Sequence, residues 1–309
     1  MTMIDSSIHE ATTSEHDQLS RFLLDEAGVR GVHVRLRETW NEVRGRVDYP
    51  QAVSEMLGEA LVASALFTGH TKVEGRLSVQ LRSDTRLRTL FAECTAAGTL
   101  RGIAQLAEGD STAVARDLTA LGDNAVLAIT IENPTSGGRE PVRYQGIVAL
   151  ASDSLAGAFE QYFLQSEQLP TRLLLAVDGD NAAGLMLQKL PGDVGDADGW
   201  NRCSTLFDTL TARELLELPA ETLLARLFHE DSPRLLGTRQ LAFGCSCSRA
   251  RVASMLESLG REEAAAAVID GQASIRCEFC GQGYHFSPTD IDALFTQERR
   301  PMAAPDLLQ

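Results

Sequence analysis

Apolar and polar residues alternate in several short stretches of the first 180 residues, and this alternation predicts strands with one buried face. The runs 32–36 (VHVRL) and 77–81 (LSVQL) show it most clearly, because every second residue is Val or Leu. Further strands are predicted at 88–94, 99–106, 125–132, 142–149 and 171–177. The segment 133–141 (NPTSGGREP) is rich in turn-forming residues and predicts a hairpin loop.

Longer apolar runs in the same region predict helices. Pro50 precedes the run 52–67 (AVSEMLGEALVASALF), which predicts a helix that packs in the core. A second helix is predicted over 153–166, with an apolar face formed by Leu155, Phe159, Tyr162 and Phe163. Several antiparallel-type strands with few helices predict an α+β fold, whose N-terminal part is a mixed α/β domain with a mainly antiparallel sheet.

The composition changes at 191–201 (PGDVGDADGWN), which is rich in Gly and Asp and predicts a linker or a long loop. Residues 201–228 then have the pattern of amphipathic helices. Their apolar side chains are Leu206, Phe207, Leu210, Leu215, Leu216, Leu218, Leu223, Leu224, Leu227 and Phe228. At rest we expect this stripe to pack on the main domain. If a neighbouring segment unfolds, the stripe becomes a binding surface for unfolded chains or for a second copy.

The C-terminal region has the pattern of a compact module. A helix is predicted over 249–259, with Ser248 as its cap, Gly260 as its end, and an apolar face of Val252, Met255, Leu256 and Leu259. A short helix, a turn at Asp270-Gly271, strands at 273–276 and 284–286, and a helix that starts at Ser287 follow. The predicted organisation is a main domain (1–180), a linker with amphipathic helices (181–232), the C-terminal module (233–297) and a tail (298–309).

The charge of the chain limits its partners. There are 28 Lys and Arg residues against 43 Asp and Glu residues, so the net charge is -15. This balance argues against a nucleic-acid binder, which needs a basic face, and against an anionic membrane as partner. No uninterrupted apolar run of about 18 residues is present, and residues 1–21 lack the apolar segment of a secretory signal. We therefore expect a cytoplasmic protein, in which cysteines serve as ligands or reactive groups.

Four of the six cysteines form two close pairs: Cys245 with Cys247, and Cys277 with Cys280. The pairs are separated by residues 248–276. Two such pairs are how a chain commonly builds a tetrahedral Zn²⁺ site. The spacing leaves two interpretations open. One is a closed structural zinc site that holds the small module together. The other is a redox switch, in which thiolates oxidise to disulfides and release the metal.

The remaining chemistry-bearing residues predict little. His285 is expected to be an ordinary strand residue, because four cysteines already complete a tetrahedron. Cys94 and Cys203 lie in apolar runs and are expected to be buried small side chains. The sequence has no phosphate-binding glycine loop, no nucleophile elbow and no zinc-protease motif, so no enzyme is predicted. A thiol-disulfide oxidoreductase that uses Cys277 and Cys280 remains an alternative.

Two cysteine motifs and three further stretches together resemble one protein family. CSCSR (245–249) and CEFCGQGYHF (277–286) are similar to the zinc centre of the redox-regulated heat-shock holdase chaperones of about this mass. In the main domain, YQGIVAL (144–150), QYFLQSEQLPTRL (161–173) and GLMLQKLPG (184–192) resemble stretches of the same family. The resemblance runs in order over nearly the whole chain.

The resemblance implies a function that spacing alone does not. It implies that Cys245, Cys247, Cys277 and Cys280 bind one Zn²⁺ in a reduced, inactive form. Oxidation then forms the disulfides Cys245–Cys247 and Cys277–Cys280, releases the zinc, and unfolds the C-terminal module and the linker. The active form binds unfolding client proteins without ATP, often as a homodimer. Client-binding residues are not carried by a short motif.

Overall fold

The computed structural model describes residues 16–109, 113–135, 141–192 and 194–296. The chain divides into two compact units, residues 1–244 and 245–309. The centre of the predicted hairpin loop (136–140) and the predicted tail (298–309) lie outside the described residues.

The first unit contains two sheets and six α-helices within the described residues. Its strands are β1 (Gln18–Leu24), β2 (Val29–Leu36), β3 (Arg76–Arg82), β4 (Leu87–Thr95), β5 (Thr99–Leu106), β6 (Val126–Asn133), β7 (Val142–Val148), β8 (Thr171–Val177), β9 (Ala182–Lys189), β10 (Arg234–Gln240) and β11 (Ala242–Phe243). Its helices are α1 (Glu38–Arg44), α2 (Gln51–His70), α3 (Leu155–Tyr162), α4 (Gly199–Phe207), α5 (Ala212–Glu217) and α6 (Ala220–Phe228). A π-helical turn at Phe163–Glu167 extends α3.

The two sheets are almost entirely antiparallel. One has the strand order β10-β1-β2-β9-β8, and the other has the order β11-β5-β4-β3-β6-β7. The exception is the two-residue strand β11, which pairs in parallel with β5. Strands β6 and β7 form the hairpin predicted from the turn-forming residues between them. The predicted α+β fold with a mainly antiparallel sheet is therefore confirmed.

Helix α2 is the centre of the larger hydrophobic core, and it contacts strands of both sheets. It begins after Pro50, as predicted, and every residue from Ala60 to Gly69 is buried, so this part of the helix has no exposed face. A helix of this kind is stable only when it is buried. Although α2 is long and apolar enough to cross a membrane, 72% of its most apolar window is buried inside the protein. Its hydropathy is therefore explained by its place in the core.

The strands that alternation predicted are confirmed as β2 to β8, with small differences at their ends. Four strands of the first unit, β1, β9, β10 and β11, were not predicted. Strand β9 is buried at seven successive positions because α2 packs on one face and α5 on the other, so its apolar residues do not alternate. Strand β10 has the opposite pattern, since all of its residues are exposed.

The amphipathic helices α4 to α6 pack on the face of the first sheet opposite α2. We call the apolar residues between the sheet and these helices the linker-helix core. It comprises Phe22, Leu24, Ala27, Val29, Ala176, Ala183, Leu185, Leu187, Cys203, Phe207, Leu210, Leu215, Leu216, Leu223, Leu224, Leu227 and Phe228. The predicted packing of this apolar stripe against the rest of the chain is confirmed. Strands β9 and β10, which precede and follow these helices in sequence, belong to the same sheet. The division of the chain into main domain, linker and module stays a prediction.

The Gly- and Asp-rich segment before α4 is held on the turn between β1 and β2. The Asp196 amide donates to the Glu26 carbonyl at 2.8 Å, and the Leu190 amide donates to the Gly28 carbonyl at 2.9 Å. Gly28 has a φ of 63°, and a side chain there would collide with the Val194 carbonyl. Within the described residues this segment is therefore an ordered loop.

An ion pair joins the first helix of this layer, α4, to the segment that follows the last helix, α6. Arg202 on α4 donates to both carboxylate oxygens of Asp231, which follows α6 and is only 2% exposed. The same guanidinium donates to Asp196 at 2.9 Å. Because Asp231 is buried, loss of Arg202 would leave an uncompensated charge in the protein interior.

Two histidines, the buried His33 and the half-buried His70, predict that the first unit loses stability in mild acid. Burial and the nearby Arg35 lower the pKa of His33 to about 4, and burial and Arg30 lower the pKa of His70 to about 3. In the unfolded chain both pKa values are about 6.5. Below pH 6.5 the unfolded chain therefore binds protons that the folded chain does not bind. We expect each histidine to lower the free energy of unfolding by about 2 kcal/mol between pH 6.5 and pH 5.

Urea unfolding of the wild type and of His33→Gln at pH 7 and pH 5 tests this prediction. Between pH 7 and pH 5, the free energy of unfolding should fall by about 2 kcal/mol less in the variant than in the wild type. The carboxylates contribute equally to both proteins, so their contribution cancels in this comparison. His229→Gln is the matched control, because His229 is 72% exposed. An equal loss of stability in wild type and His33→Gln would contradict the prediction.

Candidate metal centre

The second unit is built from short elements around a three-stranded antiparallel sheet. These are α7 (Arg249–Leu259), α8 (Arg261–Ala266), β12 (Val268–Ile269), β13 (Gln272–Arg276), β14 (Gly283–Phe286) and α9 (Pro288–Thr296). Cys245 and Cys247 lie just before α7, and Cys277 and Cys280 lie in the turn between β13 and β14. The cysteines are thus held by the ends of three elements.

The local sequence explains these elements, much as predicted. The Ser248 hydroxyl accepts a hydrogen bond from the Arg251 amide and caps α7, which ends at Gly260 with a φ of 92°. Asp270 and Gly271 both have positive φ and form the turn between β12 and β13. The Ser287 hydroxyl accepts from the Asp290 amide and caps α9. The predicted caps and turn are confirmed.

The predicted apolar face of α7 is only half buried. Leu256 is 1% exposed and lies in the core of this unit, with Val252 packed against it. Met255 and Leu259, on the same side of the helix, are 43% and 47% exposed. The reason is the small core of the unit, in which the buried apolar side chains among residues 245–296 are Leu256, Ala264, Ala273, Phe286 and Ile291. A core of this size cannot cover a whole helix face.

The turn that carries Cys277 and Cys280 is a tight, hydrogen-bonded knuckle. The Gly281 amide donates to the Cys277 carbonyl at 2.8 Å, and the Cys277 amide donates to the Gln282 carbonyl at 2.9 Å. Gly281 has a φ of 72°, which favours glycine at this position. The guanidinium of Arg276 donates to the Gly281 carbonyl at 3.2 Å. The knuckle therefore aims both thiols to the same side.

The sulfurs of Cys245, Cys247, Cys277 and Cys280 lie within 4.8 Å of one another, and we call them the four-cysteine cluster. The Cys245 and Cys277 sulfurs are 3.7 Å apart, and the Cys247 and Cys280 sulfurs are 3.3 Å apart. A tetrahedron with metal–sulfur bonds of about 2.3 Å has sulfur–sulfur edges of about 3.8 Å. The residues present therefore fit a tetrahedral thiolate-bound metal. Since all edges of a tetrahedron are similar, these distances do not select a disulfide pairing.

The electrostatics of the cluster also favour a cation. Burial and the neighbouring thiols raise the pKa of Cys280 to about 12, although the backbone amide of Gln282 acts in the opposite direction. Four sulfurs this close cannot all carry a negative charge unless a cation compensates it. A bound metal reverses this balance and holds the sulfurs as thiolates.

Two residues around the cluster were not predicted from the sequence. The Tyr284 hydroxyl donates to the Cys247 sulfur at 3.1 Å, and this hydrogen bond raises the pKa of Tyr284 to about 12. Arg249 donates to the His285 carbonyl, lies 4.2 Å from the Phe286 ring centre, and pairs with Asp290 at 3.3 Å. The motif CEFCGQGYHF contains Tyr284, but only the strand register places its hydroxyl on a sulfur.

The other candidate residues lie elsewhere. His285 is a β14 residue whose Nδ1 is 3.1 Å from the Ser274 hydroxyl, and it is not part of the four-cysteine cluster. Cys94 and Cys203 are fully buried in two different hydrophobic cores, and burial raises the pKa of each thiol to about 12. Both are buried small side chains, as predicted.

Comparison with known proteins identifies the family to which this arrangement belongs. The sequence pattern of the Hsp33 protein family matches residues 17–287. The chain belongs to the Hsp33 family. The predicted resemblance is therefore confirmed, and the four-cysteine cluster is a possible metal site within an Hsp33 chain.

Two relatives agree with this assignment, and one solved structure shares the fold. The 33 kDa chaperonin of Ectopseudomonas mendocina is 44% identical over 287 residues, which cover 91% of this chain and 95% of the relative. The 33 kDa chaperonin of Neisseria meningitidis is 39% identical over 296 residues, covering 94% and 95%. The crystal structure of the Thermotoga maritima 33 kDa chaperonin has a TM-score of 0.73 at 22% identity, covering 90% of this chain and 97% of that one. This last similarity concerns the fold alone.

Proposed function

We propose that this Hsp33 chain is a redox-regulated, ATP-independent holdase chaperone of the cytoplasm, and not an enzyme. It binds unfolding client proteins and keeps them from aggregating. The observation that carries the proposal is the four-cysteine cluster, whose sulfurs lie within 4.8 Å of one another in a chain of a chaperone family. Thiolates in such a cluster remain reactive toward oxidants while they hold a metal.

In the reduced form, Cys245, Cys247, Cys277 and Cys280 would hold one Zn²⁺. Four sulfur ligands in a tetrahedron suit Zn²⁺ better than the harder divalent cations. When bound, the metal keeps the four sulfurs as thiolates and joins the segment before α7 to the knuckle after β13. This cross-link holds together a unit with a small core of its own.

Oxidation would proceed in two steps for each pair of cysteines, with hydrogen peroxide as the oxidant. A thiolate attacks one peroxide oxygen, the S–O bond forms, the O–O bond breaks, and the hydroxide that leaves takes up a proton to become water. The partner thiolate then attacks the sulfenic sulfur, and the hydroxide that leaves takes up a proton. Each pair loses two electrons, and one hydrogen peroxide becomes two water molecules. The pairs are Cys245–Cys247 and Cys277–Cys280, and their disulfides no longer hold zinc.

Loss of zinc would then expose the client-binding surface. The second unit unfolds because its few buried apolar residues cannot hold it together alone. Strand β10, whose residues are all exposed, and helices α4 to α6 then detach, which uncovers the linker-helix core. Uncovered Leu and Phe side chains bind unfolded chains and a second copy, so the active form is a homodimer.

Two alternatives predict different behaviour. A thiol-disulfide oxidoreductase would turn over a disulfide substrate, but its reactive pair usually lies at the start of a helix. Here Cys277 and Cys280 lie between two strands. A structural zinc module that docks a fixed partner would keep its zinc in oxidant and bind one partner tightly.

The first experiment measures zinc release with a colorimetric chelator together with light scattering of a heat-unfolding client. With peroxide at raised temperature, we expect zinc to leave and client aggregation to fall in parallel. The reduced protein should keep its zinc and should not suppress aggregation. Peptide mapping of the oxidised chain should find the two predicted disulfides.

Cys94→Ala is the matched control, because Cys94 is buried in the core around α2, outside both the cluster and the linker-helix core, and it should respond like the wild type. Zinc that stays bound in peroxide, with unchanged scattering, would indicate a structural site. Equal suppression of aggregation by the reduced and the oxidised protein would contradict the redox switch but would leave the chaperone activity supported.

A further inference from the structure

The hydroxyl of Tyr284 connects the two cysteine motifs of the second unit. Tyr284 lies on β14, where it pairs with Ile275 on β13, and its hydroxyl donates to the Cys247 sulfur at 3.1 Å. Cys247 lies 37 residues away, in the segment before α7. The phenol is protonated at neutral pH, so it is a hydrogen-bond donor to this sulfur.

A hydrogen bond to a metal-bound thiolate changes how the sulfur reacts. The donor withdraws charge from the sulfur, and the nucleophilicity of a thiolate falls as its basicity falls. Partners of this kind also orient the ligand, and their loss commonly weakens metal binding. Cys280 receives a comparable donor, the backbone amide of Gln282. Of these two donors, only the Tyr284 hydroxyl belongs to a side chain, so only this donor can be removed by a substitution.

We propose that Tyr284 is a positioning residue that restrains Cys247, lowering the reactivity of this sulfur toward oxidants and other electrophiles. This inference rests on the proposed zinc-bound resting state and adds to it a control on how readily that state is oxidised. The restraint acts on one sulfur of four, so the first attack on a peroxide falls on another member of the cluster. Cys247 then enters as a partner in disulfide formation.

The variant Tyr284→Phe removes the hydroxyl and keeps the ring. The ring is needed because Tyr284 packs against the small core of the second unit. Tyr144→Phe is the matched control, since it also removes one hydroxyl, which lies 3.4 Å from the Tyr162 hydroxyl in the first unit. Both variants are made in the full chain, loaded with zinc, and their zinc content is measured before the reaction.

The experiment follows each cysteine separately. The zinc-loaded proteins are treated with iodoacetamide for short times at low conversion, and the alkylated cysteines are quantified by mass spectrometry. In parallel, the rate of zinc release in peroxide is measured. We expect Cys247 to react about threefold faster in Tyr284→Phe, from the usual dependence of thiolate nucleophilicity on basicity. The rates of the other three cysteines, and all rates in Tyr144→Phe, should stay unchanged.

The outcomes separate this inference from the proposed function. Equal rates at Cys247 in wild type and Tyr284→Phe would overturn the inference. A similar increase at all four cysteines would also overturn it, because that pattern indicates general loosening of the unit. Zinc that stays bound in peroxide in the wild type would instead contradict the proposed switch. In that case, a selective increase in the alkylation rate of Cys247 in Tyr284→Phe would still support the restraint.

Discussion

Removal of zinc from the reduced chain should unfold residues 245–296 and leave the core around α2 folded. The apparent binding free energy of a four-ligand structural zinc site is about 10–16 kcal/mol. The second unit has a core of Leu256, Ala264, Ala273, Phe286 and Ile291, which is too small to offset the entropy of ordering its chain. The metal therefore supplies most of the free energy that keeps this unit folded.

Amide hydrogen exchange before and after treatment with a strong chelator measures this effect. We expect α7, α8, α9 and the strands β12 to β14 to lose protection, while the core helix α2 keeps it. Cys280→Ser should behave like the chelated wild type, because three thiolates and a hydroxyl bind zinc more weakly. Cys203→Ser is the matched control outside the cluster. Full protection of residues 245–296 after metal removal would contradict the prediction.

Phe228→Ala should activate the chain without an oxidant. Phe228 is fully buried at the end of α6, and its ring is 6.4 Å from that of Phe22 on β1. Truncation of a buried Phe to Ala costs about 3–5 kcal/mol. The loss falls on the contact between the sheet and the helices α4 to α6. We expect these helices to open at least about a hundredfold more often, since 1.4 kcal/mol is a factor of ten.

Two measurements on the reduced, zinc-loaded variant check this expectation. Hydrogen exchange should rise across residues 199–228, and light scattering should show suppression of client aggregation in the absence of peroxide. Phe159→Ala is the matched control, because Phe159 is also fully buried but packs against Phe67 in the other hydrophobic core. That variant should lose comparable stability without selective exchange in 199–228. A Phe228→Ala chain that exposes these helices and still fails to hold clients would place the client surface elsewhere.

Some strands were visible in the sequence and others were not, for a reason that lies in their surroundings. Strands such as β3 have one buried and one accessible face, so burial alternates along the chain and the sequence alternates with it. Strand β9 is covered on both faces and has no alternation, although it lies between β2 and β8 in the sheet. Strand β10 is exposed throughout and depends on backbone hydrogen bonds to β1, which leave no apolar pattern.

The sequence by itself determined the α+β class, the core helix, the amphipathic linker helices and the four cysteines of the candidate site. These features depend on local spacing: turns bring neighbouring cysteines together, and helical periodicity selects a buried face. The tertiary structure alone decided that Tyr284 reaches Cys247, that Arg202 reaches Asp231, and that α4 to α6 cover one sheet. Contacts of this kind join residues far apart in sequence, so they depend on strand register and helix packing, which local residue patterns do not encode.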